Sequence, residues 1–576
     1  MAGPLDGIKF RNVSSAEQEL VQSVMRGFTE KQIWRNTYAG QLEETARLIW
    51  PEHSNTFFYG SYTWPGSKKT HLQIDATGML ALERFAAIVD SLLTPANSQW
   101  HALEADNEYV MKDRATRLYF DQITRLLFKF RDNPYANFRG QNNSCWRSLG
   151  AFGNGTMLID AFDGRHYHGA RGLRYKGVPL GETFFGENHQ GVVDQMDRWF
   201  KLTARQAAQK WGEDAIPPQL HSHYNNDSQW PFNFIHCVRP RDDFDPQRLD
   251  AKGLPFQSLY VCIEGACLMQ PEKGYRTFPY AVRRYDVAPR EVYGRGVAQR
   301  VLPALKTLNA QKTVFLKQGH RAADPVLLTN DDGVIGMDLT PGKINKGGVN
   351  AQGQELVKVL PTGNIQIAKE MLAEERSIID DMFLVTLYKV LSEHPNMTAT
   401  QVIELVNEKG MLVAPTLGQQ ETPLSFQIER EIDVLAAQSL LPPMPPRLRE
   451  AKGEYHVVYT SPLALSRKAQ SAAGFMRVVE TSKEIVNITG DQSYLDWADF
   501  DTALPEIARG QAVPEHWIAG DQQVATRRKD RAKAIQQKAQ IDALPAMAAM
   551  KKADAVAAKA GVGVPPAGVG PQQAPA

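Results

Sequence analysis

The sequence predicts an α+β protein with several domains, and three observations support that prediction. The chain has 576 residues, of which 43% are hydrophobic, so it is long enough for two to four domains with buried cores. Apolar residues recur at helical spacing in both terminal parts, whereas residues 150–293 contain short apolar runs between glycines and turn residues. Glycine, aspartate, asparagine and proline are concentrated in residues 323–364, between two long helical segments.

The N-terminal part is predicted to be helical. Residues 14–50 predict two helices, with Ser14 or Ser15 as the N-cap of the first. Residues 78–93 and 114–131 each place apolar residues on one helical face, and a proline soon follows each segment. Since proline cannot continue a helix, both helices are expected to end at these bounds.

The middle of the chain is predicted to form a mixed sheet. One helix interrupts the strands at residues 203–211, where the Thr203 hydroxyl is expected to cap its first turn. The clearest strands are expected at residues 157–159, 177–180, 232–238 and 258–263.

Two long helices with a turn-rich insert between them are predicted in the second half. The first covers residues 297–318 and the second residues 365–391, about 40 Å at ~1.5 Å per residue. The other elements expected here are strands at 326–328, 356–360 and 455–459, helices at 399–409 (capped by Thr398) and 423–440, and further helices to about residue 538. Residues after about 560 are expected to be disordered, because Ala, Gly, Pro and Gln bury little apolar surface.

Charge and cysteine content exclude several classes of protein. Lys and Arg number 65 against 64 Asp and Glu, a net charge of +1, which argues against a protein that wraps DNA tightly. Four scattered cysteines predict a reducing compartment rather than a disulfide scaffold. Neither an apolar signal core nor a run of 18 apolar residues is present, so no membrane association is expected.

No catalytic residue, metal site or cofactor is predicted. Cys262 and Cys267, with His236 and Cys237 nearby, do not have the spacing of a zinc site, so small buried cysteines are expected. The histidine pairs 166/168 and 221/223 are expected at the surface. The glycines of residues 150–155 and 293–296 fit neither a phosphate loop nor a dinucleotide fingerprint, so turn glycines are expected, and the hydrolase motif Gly-x-Ser-x-Gly does not occur.

Two charged helical segments leave alternatives open. Charges of both signs surround the predicted helix 365–391, which suits a helix that packs against copies of itself in a ring and equally an ordinary surface helix. The basic stretch at residues 526–533 suits a solvated helix face, or a contact with DNA at the mouth of a ring.

Short motifs follow one another along residues 15–535 in a fixed order. They are Asp-Ala-Thr-Gly (75–78), Leu-Leu-Thr-Pro (92–95), Trp-His-Ala-Leu (100–103), Asn-Phe (137–138), Leu-Gly and Gly-Asn-Gly-Thr (149–156), and the segments 234–241, 398–402 and 455–463. The most specific series is Phe-Pro (278–279), Arg-Arg-Tyr (283–285), Tyr-Gly-Arg-Gly (293–296) and Leu-Pro-Ala-Leu-Lys-Thr-Leu-Asn (302–309). In this order the motifs resemble the head-to-tail connector family, the portal proteins of short-tailed bacteriophages. Gly296 departs from the pattern, because the family often has serine there.

The resemblance implies a portal fold that assembles as a ring, with an α/β wing, a two-helix stem, a small α/β clip and an α-helical crown. By this resemblance the parts are the wing (1–292), the first stem helix (293–322), the clip (323–364), the second stem helix (365–391), the tunnel loop with the C-terminal part of the wing (392–464), the crown (465–540) and a largely disordered tail (541–576).

The same resemblance implies a non-enzymatic role at one capsid vertex of the virion, after assembly in the host cytoplasm. Twelve copies would form a channel through which double-stranded DNA is packaged and ejected. The implied partners are the large terminase subunit, a tail adaptor protein, and the major capsid and scaffolding proteins. The residues expected to face DNA are Lys389, Ser392, His394 and Asn396, and those expected to dock terminase or adaptor are Asp331, Asp332, Lys343 and Lys346.

Two other classes of function remain open from the sequence. Another structural protein of the virion would share the lack of catalytic motifs, and negative-stain images of rings with a central hole would decide against it. A metal-dependent hydrolase would need clustered His, Asp or Cys ligands, which metal analysis of the purified protein would detect.

Overall fold

The computed structural model describes residues 14–58, 66–70, 73–165, 167–329, 338, 340–344, 348–350, 352–361, 364–386, 417–490, 498–510, 513 and 515–559. The helix predicted at 399–409 and its cap Thr398 lie outside these ranges, as does the chain after residue 559. None of the helices in the described ranges is long and apolar enough to cross a bilayer.

Runs of helices and runs of strands follow one another along the chain, which agrees with the α+β class. The helices are α1 (Ser15–Ile49), α2 (Thr77–Leu93), α3 (Glu108–Met111), α4 (Arg114–Arg131), α5 (Phe138–Phe152), α6 (Ala204–Trp211), α7 (Pro218–Asn225), α8 (Val297–Ala323), α9 (Ile365–Met382), α10 (Glu421–Ala437), α11 (Pro446–Glu450), α12 (Pro462–Thr489), α13 (Phe500–Gly510) and α14 (Asp521–Lys559). The strands are β1 (His101–Ala105), β2 (Asn154–Ala161), β3 (Leu173–Val178), β4 (Thr183–Glu187), β5 (Val193–Thr203), β6 (Pro231–Pro240), β7 (Phe256–Cys262), β8 (Cys267–Leu268), β9 (Lys273–Tyr275), β10 (Tyr280–Arg284), β11 (Leu327–Thr329), β12 (Val357–Val359) and β13 (Tyr455–Tyr459).

Most predicted elements are present, and α1 shows why one prediction was wrong. The two helices expected at residues 14–50 are a single helix, because its buried residues continue past Gly27 and Gly40 without a break. The predicted cap is correct, since the Ser14 hydroxyl accepts a hydrogen bond from the Glu17 amide at 3.2 Å. Thr203 caps α6 in the same way, and its own amide donates in return to the Gln206 side-chain oxygen at 3.0 Å.

The mixed sheet predicted for the middle of the chain is instead two antiparallel sheets. Strands β4 to β8 form the larger one in chain order, with β9 added beside β7, and the smaller has the order β10-β2-β3. A further antiparallel pair joins β1 to β13, with His101 opposite Tyr459, so distant parts of the chain meet in one ladder. The described strand pairs are all antiparallel, because hairpins and returning strands, rather than helical crossovers, connect them.

The larger sheet is covered on both faces, which its alternating side chains explain. Phe234 on β6 belongs to an apolar cluster with α6 and α7, whereas its neighbour Ile235 belongs to a cluster with Phe28 of α1. Successive side chains of a strand point to opposite faces, so one strand contributes to both clusters. The main core lies around α2 and α5, where Trp146, Phe85 and Leu149 are fully buried.

Helix α9 and the C-terminal tail differ from their predicted extents. The helix expected at 365–391 ends at Met382, and Leu384 adopts a left-handed backbone with φ of 60°. A non-glycine residue in that region interrupts a right-handed helix, and Phe383 is buried beside it. In the tail, which was expected to be largely disordered from residue 541, α14 continues to Lys559 because its many alanines favour helix.

Candidate functional site

Helices α8 and α9 lie side by side and form a hairpin. The short strands β11 and β12 follow α8 and precede α9, and they pair with Leu327 opposite Val359. Helix α8 alone spans about 40 Å at ~1.5 Å per residue, so this α8–α9 hairpin is a long element of the fold.

The segment 74–78, which we call the wedge, contacts both helices of the hairpin. The Ile74 amide donates to the Asn309 side-chain oxygen on α8 at 3.0 Å, and Arg376 on α9 donates to the Asp75 carboxylate at 2.6 Å. Gly78 lies so close to α8 that a Cβ atom there would be 2.8 Å from the Leu305 side chain. One short segment therefore holds both helices of the hairpin.

Hydrogen bonds keep the Asp75 carboxylate of the wedge ionised. Its carboxylate accepts bonds from the Thr77 amide at 2.9 Å and the Thr77 hydroxyl at 2.5 Å, besides the bond from Arg376. Burial works against the charge, but the hydrogen bonds from Thr77 and Arg376 outweigh it and lower the pKa of Asp75. The ion pair with α9 consequently persists at neutral pH.

The start of α8 is fixed by backbone-to-backbone contact. Gly153, the left-handed C-cap of α5, faces the Gly294 carbonyl, and a Cβ atom on Gly296 would be 2.6 Å from the Gly153 nitrogen. The buried Asn154 side chain accepts from the Gly294 amide at 2.8 Å and donates to its carbonyl at 3.0 Å. Gly153 turns the chain at the end of α5, as was expected. The close backbone contact also requires glycine at Gly153, Gly294 and Gly296, because none of them has room for a Cβ atom.

A buried ion pair joins α4 to α10. Arg131 is 2% exposed, and its Nε donates to the Glu431 carboxylate at 2.9 Å. The same guanidinium donates to His101 Nε2 at 2.6 Å, and burial together with the charge of Arg131 holds the pKa of His101 well below its usual value. Because an unpaired buried charge is costly, this pair fixes how α10 sits on the N-terminal half of the fold.

Arg283 extends this polar network into β10. Its guanidinium lies 3.9 Å from the centre of the Trp146 ring and donates to the side-chain oxygens of Asn142 at 2.8 Å and Gln427 at 3.0 Å. Gln427 in turn donates to Glu431 at 2.9 Å. Helices α4, α5 and α10 and strand β10 are thus locked together through hydrogen bonds to fully buried groups.

Comparisons with known proteins identify the family. The family described as "Bacteriophage head to tail connecting protein" matches residues 22–518. The chain belongs to this family. It is 25% identical over 493 residues to the "Probable portal protein" of Bordetella phage BPP-1, covering 81% of this chain and 83% of that protein. It is 24% identical over 480 residues to the "Portal protein" of Salmonella phage epsilon15, covering 80% of this chain and 83% of that protein.

Head-to-tail connecting proteins are structural components of the phage particle, at the junction of head and tail. The α8–α9 hairpin and its wedge lie entirely within the matched residues. So do Gly153, Gly294 and Gly296 at the start of α8, which belong to the motifs that resembled this family.

The residues expected to face DNA or a docking partner lie mostly outside the described part of the chain. They are Lys389, Ser392, His394, Asn396, Asp331, Asp332 and Lys346. Lys343 is described: it is exposed beyond β11, and its ammonium lies 3.2 Å from the Asp338 carboxylate. The structure therefore places one of the eight predicted residues, and it brings none of them together.

The cysteines have the surroundings that were predicted for them. All four cysteines are buried and none forms a disulfide bond, and burial raises the pKa of Cys145 to about 11 and of Cys262 to about 12. Thiols of that kind are poor nucleophiles and poor metal ligands at neutral pH. Among the described residues, no group of three or more His, Cys, Asp or Glu side chains is placed to hold a metal ion.

The predicted surface histidines are only partly at the surface. His168 is exposed, whereas His221 and His223 on α7 are half-buried, and His223 Nδ1 lies 3.1 Å from the Ser228 hydroxyl. Helix α7 was not predicted, because its Pro-Gln-Leu-His-Ser-His sequence lacks an apolar repeat.

Sequence reasoning missed the groups that fix the hairpin and the core. Asp75 and the glycines were found as motif residues, but nothing in the sequence gave their partners Arg376 and Asn154. The bond from the Ile74 amide to Asn309 was missed as well. Arg131, Arg283 and Glu431 have ordinary surface types, and charge alone does not show that a residue is buried. The one available signal was position, because Arg283 and the glycines belong to the most specific motif series.

Proposed function

We propose that the chain is the portal subunit of a bacteriophage and acts as a closed ring of identical copies, twelve by family resemblance. The ring would occupy one capsid vertex, and double-stranded DNA would pass through its axis during packaging and ejection. The observation that carries the proposal is the family match over residues 22–518, which covers most of the chain. Assembly in the host cytoplasm before incorporation into the virion is part of the same proposal.

We assign the parts of the portal fold to the chain as the resemblance implies. The α8–α9 hairpin would be the stem, residues 323–364 the clip, residues 1–292 and the segment before 465 the wing, and residues 465–540 the crown. The pairing of β1 with β13 supports the assignment of both chain segments to one wing. The wedge 74–78 supports a stem that is fixed rigidly to that wing.

A rigid junction suits a conduit that bears load. DNA pushed through the channel transfers force to the stem, and that force must reach the capsid through the wing. Backbone contacts between glycines and a paired carboxylate at the junction resist such displacement better than loosely packed side chains would.

The clip would dock the large terminase subunit during packaging and a tail adaptor protein afterwards. Asp331, Asp332, Lys343 and Lys346 are the proposed contacts, because paired charges of both signs favour orientation and exchange of partners over permanent binding. The wing would contact the major capsid protein and the scaffolding protein. No cofactor is needed for any of these steps.

The segment after α9 would form the tunnel loop nearest the DNA. Lys389, Ser392, His394 and Asn396 are the proposed lining residues, with Lys389 giving one weak phosphate contact per subunit. A net charge of +1 for the chain suits this role, since many phosphate contacts would brake sliding DNA.

Packaging by a phage that carries a variant portal tests the proposal. In a phage whose own copy of this gene is deleted, the unmutated chain supplied in trans should restore DNA-filled heads. Lys389→Glu with Ser392→Glu should leave rings intact but reduce packaged or retained DNA, with a defect that depends on salt as phosphate contacts do. Failure of the unmutated chain to restore filled heads would contradict the function, and normal packaging by the double variant would contradict only the lining assignment.

A further inference from the structure

Helix α9 turns an apolar stripe away from its own chain. Ile367, Met371, Ile378 and Met382 are 55%, 47%, 46% and 43% exposed, and their spacing of four, seven and four residues places them on one face. The adjoining face is buried against the rest of the fold, as Ile379 shows with no exposed surface. An aligned apolar stripe of this kind marks a surface that another chain covers.

An acidic edge runs beside the stripe. Glu370, Glu374 and Asp381 recur at spacings of four and seven residues, and all three side chains are exposed. Over the whole helix five carboxylates stand against two cations, a net charge of −3. One of the two cations, Arg376, is already paired with Asp75 inside the fold.

Helix α8 has the opposite charge. Its 27 residues contain no Asp or Glu, and its five charged residues are Arg300, Lys306, Lys312, Lys317 and Arg321. Lys306, Lys317 and Arg321 share one exposed face with Val314, which is 62% exposed. This face combines positive charge with an accessible apolar side chain, so it complements the face of α9 in both respects.

The two faces are also level with each other. Lys317 and Arg321 lie near the end of α8 that leads into β11, and Glu370 and Glu374 lie near the end of α9 that follows β12. Both pairs are therefore at the same end of the hairpin. Rotation about a ring axis keeps every residue at its height, so neighbouring copies would bring the two pairs opposite each other.

We propose that the exposed face of α9 docks on the exposed face of α8 of the next copy in the ring. The inference rests on the proposed function, since it needs a ring. Glu370 and Glu374 would pair with Lys317 and Arg321 of the neighbour, while the apolar stripe packs on Val314 and on the aliphatic stems of the lysines. The contact uses a different face on each copy, which is what a closed ring requires.

Charge reversal on one face at a time tests the contact in the full-length protein. The first variant is Lys317→Glu with Arg321→Glu, and the second is Glu370→Lys with Glu374→Lys. Each variant alone places like charges across every interface, so the ring fraction measured by native mass spectrometry should fall at least about tenfold. The control variant Arg26→Glu with Arg205→Glu, which changes exposed residues on α1 and α6, should leave that fraction unchanged.

Mixing the two variants gives the decisive observation. Copies with two acidic faces and copies with two basic faces should alternate, so the mixture should recover rings that contain equal numbers of each variant. A contact of α8 with α8, or of α9 with α9, would already oppose like charges in the unmutated chain, so it does not predict that each variant alone loses its rings. Rings of mixed mass would support the inference, whereas no recovery from folded variants would overturn it.

Two other outcomes separate this inference from the proposed function. If the unmutated chain forms no rings, the proposed function fails first. If the unmutated chain and both variants form rings equally well, the ring stands and the α8–α9 contact is wrong. Circular dichroism verifies the fold of each variant, and a variant that misfolds is replaced by one with glutamine at the same positions. Rings of the glutamine variant should dissociate at lower salt than unmutated rings. Dissociation at the same salt concentration would refute the contact.

Discussion

At the start of α8, glycines bring two backbones closer together than any side chain would allow. Gly153 closes α5 with φ of 73°, and Gly294 and Gly296 pass directly over it. Asn154 satisfies both backbone groups of Gly294 in this contact, so the close approach leaves these polar groups bonded. The position of α8, and with it the whole hairpin, depends on three residues that have no side chain.

Gly153→Ala should destabilise the protein. The new Cβ atom would overlap the Gly294 carbonyl, and alanine disfavours a positive φ, so the free energy of unfolding should fall by at least about 1–3 kcal/mol. Gly40→Ala is the matched control, because Gly40 sits in α1 with open space around it, and there alanine should stabilise by about 0.5–1 kcal/mol. Denaturant unfolding of both variants measures the contrast, and equal effects would contradict the packing described here.

At the scale of elements, the wedge 74–78 decides how the hairpin is held. It contacts α8 through Asn309 and Leu305 and α9 through Arg376, whereas α9 buries only a narrow face of its own. The polar contacts therefore contribute a larger share of the attachment of α9 than they do for a helix in the core.

Arg376→Met should loosen α9 without unfolding the sheets. Arg376 is 41% exposed at its side chain while Asp75 is 6% exposed, so solvent screening limits the loss to about 1 kcal/mol of local stability. Hydrogen exchange should accelerate about fivefold in α9 and stay unchanged in β5 to β7. Lys369→Met on the exposed side of the same helix should alter neither region, and protection in α9 that survives Arg376→Met would show that the wedge does not hold it.

The sequence predicted elements well where periodicity or a cap marked them. Helix α4 and strand β13 have the predicted bounds, and Ser14 and Thr203 cap the helices that were assigned to them. Helix α5 was missed, because glycine, asparagine and serine weaken its intrinsic preference and burial of Trp146 overrides it. The bend at Leu384 could not be foreseen, since local sequence there resembles that of the preceding helix.

The candidate site was less predictable than the fold. The motif series located the wedge and the glycine contact, but the pairs Asp75–Arg376 and Arg131–Glu431 join residues about 300 positions apart. Such pairing depends on the tertiary fold and leaves no local pattern. The apolar stripe of α9 was visible in the sequence, yet only the structure shows which of its residues the chain itself leaves uncovered.

At the scale of the whole molecule, buried neutral histidines make stability depend on pH. Burial lowers the pKa of His53 to about 4 and, for His101 and His236, to well below the usual value. Below pH 6.5 the unfolded chain binds protons at these residues and the folded chain does not, so acid favours unfolding. The free energy of unfolding that these neutral histidines contribute is fully present above about pH 6.5 and is lost progressively as the pH falls towards 4.

His53→Phe should flatten this dependence. Between pH 6.5 and 4 the free energy of unfolding should fall less steeply than in the unmutated chain, by up to about 1.4 kcal/mol per pH unit. The His53 ring packs against Trp50 in a tilted arrangement, with ring centres 3.8 Å apart, so phenylalanine preserves the aromatic contact. Unfolding midpoints at pH 8, 6 and 5 measure the slope, and parallel curves for the two proteins would show that His53 is not held neutral.

The proposed function rests on the claim that copies of the chain associate into a ring, and electron cryomicroscopy of the purified full-length protein shows whether they do. Twelve copies of a 64.3 kDa chain would form a particle of about 770 kDa. End-on views should show a closed ring with an open axis, with the α8–α9 hairpins arranged around that axis. Rings of eleven or thirteen copies would still fit, because portals formed without a capsid can close with a different number. Monomers at high protein concentration, in both low and high salt, would contradict the claim.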